Sequence, residues 1–147
     1  MILPILLHPD PGLRVVCTPV AGDATALARD MLDTMYAAPG RGLAAPQVGV
    51  TDRLFVMDTS WKEGLPDPRV FVNPEIVARE GSQVNEEGCL SIPDTPRRVA
   101  RPARVTLAFD GRGGRRSESF EGFAAACVCH EMDHLDGVLI LDHPEAP

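Results

Sequence analysis

No run of apolar residues in this chain approaches the ~18 that a membrane-spanning helix needs. The opening residues 1–7 are apolar, but they lack a basic start and a small-residue cleavage site. They run straight into His8-Pro9-Asp10-Pro11, so no secretory leader is expected. Positive charge is in short supply: fourteen Lys and Arg against twenty-one Asp and Glu leave a net charge of −7, which argues against direct nucleic-acid binding through phosphates. Cysteines are few. Cys17, Cys89, Cys127 and Cys129, in a chain without a leader, are expected to be thiols or metal ligands rather than disulfides. Internal repeats, low-complexity tracts and linkers are also lacking, so residues 1–147 are expected to form a single domain in the cytoplasm, with no membrane partner.

What is present alternates between helical and extended periodicity. Leu27, Met31, Leu32 and Met35 recur at helical spacing, which predicts an amphipathic helix over 24–36, with Asp23 as N-cap and Pro39-Gly40 as the stop. Short β-prone runs follow at 54–57, 70–72, 76–78, 98–100 and 105–109, separated by turn residues such as Asp67-Pro68 and Asp110-Gly111. The stretch 111–116 is expected to be a hairpin tip leading into a strand near 117–123. From 124 to 135 the sequence AAACVCHEMDHL has no helix breaker and is apolar nearly all round its first turns, so a helix enclosed by the rest of the fold is predicted, ended by Asp136-Gly137. The order helix, strands, helix points to an α+β domain.

His130-Glu131-Met132-Asp133-His134 has H-E-x-x-H spacing on that second helix. Residues four apart lie on one side, about 6 Å apart along the axis, so both imidazoles can grip one ion. The alternative, a hydrogen-bonded pair of core histidines, leaves the intervening Glu131 unexplained. A catalytic site of this kind takes three protein ligands and keeps one position open. Only thirteen residues follow His134, and the extended pattern that supplies a downstream ligand in zinc proteases is missing, so the third ligand is expected upstream. Cys89, in EGCLS at 87–91, is the best candidate: Gly88 permits close backbone approach, and a thiolate suits Fe²⁺ or Zn²⁺. Taken alone, that pentapeptide would read as a structural cysteine beside a turn. The glycine-rich stretch 40–49, GRGLAAPQVG, offers small residues where backbone can face a ligand, followed by Gln47, whose amide can donate to an oxyanion.

With GLAAPQ at 42–47, EGCLS at 87–91 and HEMDH at 130–134 in this order, the chain resembles the peptide deformylase family. The likeness extends to LPIL, HPDP and LR near the start and to HLDGVLILD at 134–142. The resemblance implies an α+β fold with antiparallel sheets packed around a central helix that carries the HExxH motif. It implies that Cys89, His130 and His134 hold one Fe²⁺, for which Zn²⁺, Ni²⁺ or Co²⁺ can substitute. Glu131 would take a proton from the attacking water and return it to the leaving amine, while the Gln47 amide and the Leu90 N–H stabilise the oxyanion. The substrates would be N-formylated nascent peptides beginning with formyl-methionine. These would lie as an added strand along Gly40, Arg41, Gly42 and Leu43 and past Gly88, with Ala126 facing the pocket for the first side chain. The ribosome is a second implied partner, although the longer C-terminal extension of many bacterial members does not follow Pro147. A monomer is expected. Asp133 would support the helix motif, or serve only as a structural charge partner.

Two departures from the family pattern stand inside the motifs: Arg41 replaces a bulky apolar residue, and Cys129 replaces the usual Gln before the His-Glu pair. Arg41 raises an alternative, a metal-dependent amidase with altered acyl or first-residue specificity. Its guanidinium is expected to reach for solvent. A non-catalytic metal-binding relative is a third reading, but it predicts decay of Glu131, Gln47 or Cys89, and all three are present. Cys127 and Cys129 diverge by ~200° on a helix and cannot share an ion, so core packing is expected of both. Trp61, Arg97, Arg98, Arg101 and Arg104 read as surface or strand residues, although Arg101 falls where the family has an arginine.

Overall fold

The computed structural model describes all 147 residues. The first predicted helix is α1, Thr25–Ala37, which buries Ala28, Met31 and Met35 on one face. Asp23 sits one residue before the cap position, and its carboxylate accepts from the Thr25 N–H at 2.9 Å and the Thr25 hydroxyl at 2.6 Å. Seven strands follow: β1 (Gly42–Ala44), β2 (Leu54–Met57), β3 (Arg69–Glu80), β4 (Gln83–Cys89), β5 (Ile92–Arg101), β6 (Arg104–Gly111) and β7 (Gly114–Glu121). The last helix is α2, Gly122–Leu135. All pairings between these strands are antiparallel and form two sheets, a five-stranded one in the order β1-β2-β3-β6-β7 and the hairpin β4-β5. The α+β architecture expected from the sequence is the one observed.

Strand β2 shows how the layers assemble. All four of its residues are buried, because each face of the strand meets a different helix. Leu54 and Val56 join Met31, Met35 and Leu43 in the core under α1, while Phe55 and Met57 join Val128, Met132 and Leu135 under α2. The period of two along the strand thus sorts side chains between two cores. In the α2 core, Phe71 is ringed by Phe55 (centroids 4.9 Å), Phe109 (4.9 Å) and Phe120 (5.7 Å), the last two edge-on. A third cluster, Leu13, Cys89, Ile92, Val99, Leu139 and Ile140, lies under the β4-β5 hairpin. Enclosure on several sides explains why α2 is apolar almost all round.

Several boundaries differ from the sequence reading. The runs 70–72 and 76–78 belong to one strand, β3, interrupted by a register shift between Val72 and Glu75. Asn73 turns the chain there at φ 50°, and its side chain stabilises the kink by accepting from Val20 N–H (2.7 Å) and donating to Asp110 (2.8 Å). Asp110-Gly111 is not the turn: β6 runs through it, and the hairpin tip is Arg112-Gly113, with β7 starting at Gly114. Strand β4 was not foreseen. Its inward positions are Gln83, Asn85, Glu87 and Cys89, whereas Val84 points out, so the usual apolar signal is inverted. Helix α2 ends at Asp136 and Gly137 as expected. Gly137 has φ 72°, and a Cβ there would lie 2.6 Å from the Arg14 carbonyl oxygen. No helix is long and apolar enough to cross a membrane.

A candidate metal centre and its cleft

Three elements bring the candidate ligands together. Helix α2 carries His130 and His134 one turn apart, and Cys89 ends β4 at the two-residue turn Leu90-Ser91 that leads into β5. His134 Nε2 lies 3.2 Å from His130 Nε2 and 3.4 Å from Cys89 Sγ, and the three donor atoms all fall within 4.8 Å of one another. Tetrahedral bonds of ~2.1–2.3 Å to one ion would set such atoms about 3.5 Å apart, so the set fits a divalent metal. The protonation chemistry agrees with this. Burial, helped by His130 and Arg101, keeps His134 neutral, the form that ligates. Burial disfavours a charged His130, but Glu131, Cys89 and Glu87 outweigh it and raise its pKa.

His130 is tied down from behind. Its Nδ1 lies 3.0 Å from Glu87 Oε1, so Nδ1 carries the proton and Nε2 offers its lone pair to the ligand set. Glu87 is gripped by Arg101, with Nη2 to Oε1 and Nε to Oε2 both at 2.8 Å. The remaining arm of Arg101 reaches Asp133 Oδ2 at 2.6 Å. Burial alone would raise the Glu87 pKa, yet the hydrogen bonds from Arg101 and His130 bring it down to about 2. Arg101 was read as a surface or strand residue; it is instead 5% exposed and central to this network. The available signals were its coincidence with a family arginine and the charge of Glu87 inside the second motif. Asp133 takes part through the same ion pair, and so does His143, which the sequence reading passed over.

A cleft of about 380 Å³ opens in front of the ligands. Gly40, Arg41, Gly42, Gln47, Gly88, Leu90 and Ala126 all line it, together with Cys89, His130 and Glu131. Two predicted site residues do not. His134 is buried behind the cleft at 1% exposure, and Leu43 has its side chain sealed in the core under α1 and is paired with Val56 of β2. Phe123, Asn85 and Cys127 are wall residues not foreseen. Cys127 was assigned to core packing; it belongs to the core and also reaches the wall beside Gly42 and Glu131. Cys129 stays in the core, where burial raises its thiol to about 11.

Glu131 is 3% exposed, and its Oε1 has no hydrogen-bond partner. Burial, opposed by His130, raises its carboxyl to about 7, the range in which a group both accepts and donates protons. Gly42 makes room for it: a Cβ on Gly42 would lie 2.5 Å from Glu131 Oε2 and 3.2 Å from Cys127 Sγ. The Gln47 amide is oriented from both ends. Its oxygen accepts from Ala44 N–H at 3.0 Å, and its nitrogen donates to Ser91 Oγ at 3.1 Å and faces Cys89 Sγ at 3.8 Å. The Leu90 N–H in the turn is not bonded to any backbone carbonyl.

The edge of the five-stranded sheet faces the same cleft. Asp58 N–H bonds Arg41 O and Ala44 N–H turns to Gln47, so by antiparallel alternation the N–H and C=O of Gly42 point away from β2, free for another strand. Gly40 is not part of that edge. Its N–H bonds Met35 O at 2.8 Å, and its carbonyl accepts from Trp61 Nε1 at 2.9 Å, so Trp61 is a structural clamp rather than a plain surface residue. No protein atom lies within 4 Å of where a Cβ on Gly88 would be, so this glycine leaves open space in the cleft beside Cys89. Arg41 lays its guanidinium over Phe123 (5.4 Å to the ring centroid), with Nη2 3.4 Å from the exposed Glu63.

Comparison with known proteins places these features in a family. The sequence profile described as polypeptide deformylase matches residues 2–146. The peptide deformylase of Alkalilimnicola ehrlichii is 51% identical over 146 residues, covering 97% of this chain and 82% of that protein. Among solved structures, peptide deformylase from Thermotoga maritima superposes with a TM-score of 0.92 at 39% identity, covering 100% of this chain and 99% of that one. A peptide deformylase from Synechococcus elongatus in complex with actinonin gives 0.90 at 38% identity, covering 97% and 80%.

Proposed function

The chain belongs to the polypeptide deformylase family, and from that premise we propose how its cleft removes the formyl group from the N-terminal methionine of a nascent polypeptide. The enzyme is a metal-dependent hydrolase, and Cys89, His130 and His134 are the residues we assign to the ion. When bound, that ion supplies Lewis acidity, lowering the pKa of a water and polarising the formyl carbonyl. Everything else falls to the chain itself. The substrate backbone pairs with the free N–H and C=O of Gly42, which sets the formyl carbon between the ligand set and Glu131. Water oxygen adds to that carbon as Glu131 takes the water proton. The resulting oxyanion receives N–H bonds from Gln47 Nε2 and from the Leu90 backbone, worth ~3 kcal/mol each. The C–N bond then breaks, Glu131 delivers its proton to the departing amine nitrogen, and formate and a free N-terminus result.

The observation that carries this assignment is a buried Glu131 with a bare carboxylate oxygen in the same cleft that Cys89 and His130 line, where three ligand atoms converge. A formate-release assay on formyl-methionyl peptides tests it. Turnover should vanish on metal removal and return with one equivalent of Fe²⁺, Ni²⁺ or Co²⁺ per chain, and undiminished turnover in strong chelator would refute it. We propose Fe²⁺ as the native ion, a choice supported by the thiolate among imidazole ligands. Activity of the iron form should then decay faster in air than under argon, and the nickel form should not. We further assign catalysis to one domain, residues 1–147, acting as a monomer in the cytoplasm. The four free thiols support a reducing compartment.

Arg41 bears on specificity. Its charge meets Glu63 at the rim and its face rests on Phe123, an arrangement that leaves the methylene stem to line a pocket for methionine. A second reading, preference for a polar or acidic first residue, is favoured by one observation only: Arg41 Nε is buried without a partner.

A further inference from the structure

We propose that His143 is a positioning residue for the metal centre, because its imidazole braces Asp133 and thereby closes a chain of polar contacts that ends on Nδ1 of His130. The inference rests on the assignment of His130 as a ligand. His143 follows the 3-10 turn Ile140–Asp142, outside the cleft, and touches neither ligand nor substrate position. Its Nε2 lies 2.8 Å from Asp133 Oδ2. A carboxylate only accepts, so Nε2 is the donor, which fixes how the imidazole is protonated on that side.

The same Asp133 oxygen receives Arg101 Nη1 at 2.6 Å, so it is held between two donors. Arg101 in turn places both oxygens of Glu87, and Glu87 Oε1 is the atom that meets His130 Nδ1 at 3.0 Å. Arg101 is buried and the side chains of Glu87 and His130 are only 9% and 11% exposed, whereas Asp133 keeps 26% of its side chain exposed and is the link open to competition from water. His143 occupies the outer side of that link. Its backbone is anchored without help from the imidazole: the His143 carbonyl accepts from Arg97 Nε (3.0 Å) and Nη2 (2.8 Å), and Ala146 N–H bonds Arg98 O at 3.0 Å. Removing the ring therefore frees Asp133 without releasing the segment. Partners in the second layer around a ligand set its orientation, and their loss weakens metal binding 10- to 100-fold.

The test uses cobalt-loaded enzyme, native and with His143→Ala, His143→Leu or His143→Gln. Chelator competition gives the Co²⁺ affinity, the visible d–d bands report the ligand geometry, and formate release gives kcat and KM. In the alanine and leucine variants we expect affinity to fall ~10-fold, the d–d bands to shift, and kcat to drop while KM stays within about twofold. His143→Gln, whose amide N–H can still donate to Asp133, should restore most of both. Native affinity and spectrum in the alanine and leucine variants would overturn the proposal, as would a glutamine variant no better than leucine, since either means that the donated hydrogen bond is idle. If native enzyme itself bound no cobalt, the ligand assignment would fail and take the proposal with it.

Discussion

Two carboxylates border the same helix and are treated in opposite ways. Glu87, reaching in from β4, has both oxygens filled by Arg101 and His130 and is held ionised down to about 2. Glu131, on α2 itself, is at least as buried but has an oxygen with no partner, and its carboxyl is raised to about 7. Burial penalises both. The difference is that one faces an arginine and the other faces a glycine, Gly42, whose missing Cβ keeps the space in front of it open. Pairs of acids driven apart by their surroundings mark a division of labour. Here the satisfied one orients a ligand, and the unsatisfied one is left to move protons.

The largest effect should come from the unpaired acid. Glu131→Gln should retain one metal per chain and lose ~10²- to 10⁴-fold in kcat, because only proton transfer is removed. Metal analysis alongside formate release checks both halves, and a near-native rate would dissolve the contrast.

On the satisfied side the main loss should be of stability. Arg101→Met leaves Glu87 and Asp133 without their cation, and breaking a buried pair in this way costs about 3–5 kcal/mol, measurable by urea unfolding. Its pH dependence follows from the sign of the Glu87 shift. The folded value, about 2, lies below the ordinary 4.5, so the stabilisation is present at neutral pH and is lost as pH falls from about 4.5 towards 2. The native protein should show this acid-induced loss, and Arg101→Met should be flatter over the same window. Equal slopes would show that Glu87 is not the group responsible.

An intermediate effect is expected from Gly42→Ala. The added carbon would lie 2.5 Å from Glu131 Oε2, so the carboxylate must swing aside. A displacement of about 1 Å at a reacting group costs up to ~10²-fold, so we expect at least a ~10-fold loss of kcat with little change in metal content. Unchanged kcat would mean that the open space is not needed.

The smallest effect is expected at the rim. Arg41→Ile should leave formyl-methionine preferred over formyl-glutamate and shift the ranking by less than ~3-fold, since the charge already sits with Glu63. A native preference for the acidic peptide, reversed in Arg41→Ile, would instead establish the second reading of Arg41.

How much of this was legible beforehand depended on whether the signal was local. Residues 54–57 and the helix over 124–135 were readable because apolar periodicity reflects packing against one neighbour or against several. Strand β4 was not, because its inward side chains, Gln83, Asn85 and Glu87, face a polar cleft and an ion-pair network while Val84 faces solvent. A method that looks for apolar alternation finds nothing there. Trp61 and Arg101 differ from the sequence reading for a related reason: each is an amphipathic side chain whose placement depends on a partner elsewhere along the chain, Gly40 in one case and Glu87 with Asp133 in the other.

The sequence by itself determined the chemistry on offer: two imidazoles one helical turn apart with a glutamate between them, a cysteine beside a glycine, and an amide after a run of small residues. Helical and extended spacing are local properties of the chain, so these groupings carry over into any fold that keeps the elements. Only the tertiary structure decided which carboxylate would be satisfied and which left bare, that Gly42 rather than Gly40 presents free backbone, and that His143 closes the network behind His130. Those outcomes depend on contacts between residues well separated along the chain, such as Arg101 with Asp133 and Gly42 with Glu131. In the buried interior a partner's presence or absence shifts a group's ionisation constant by up to several orders of magnitude.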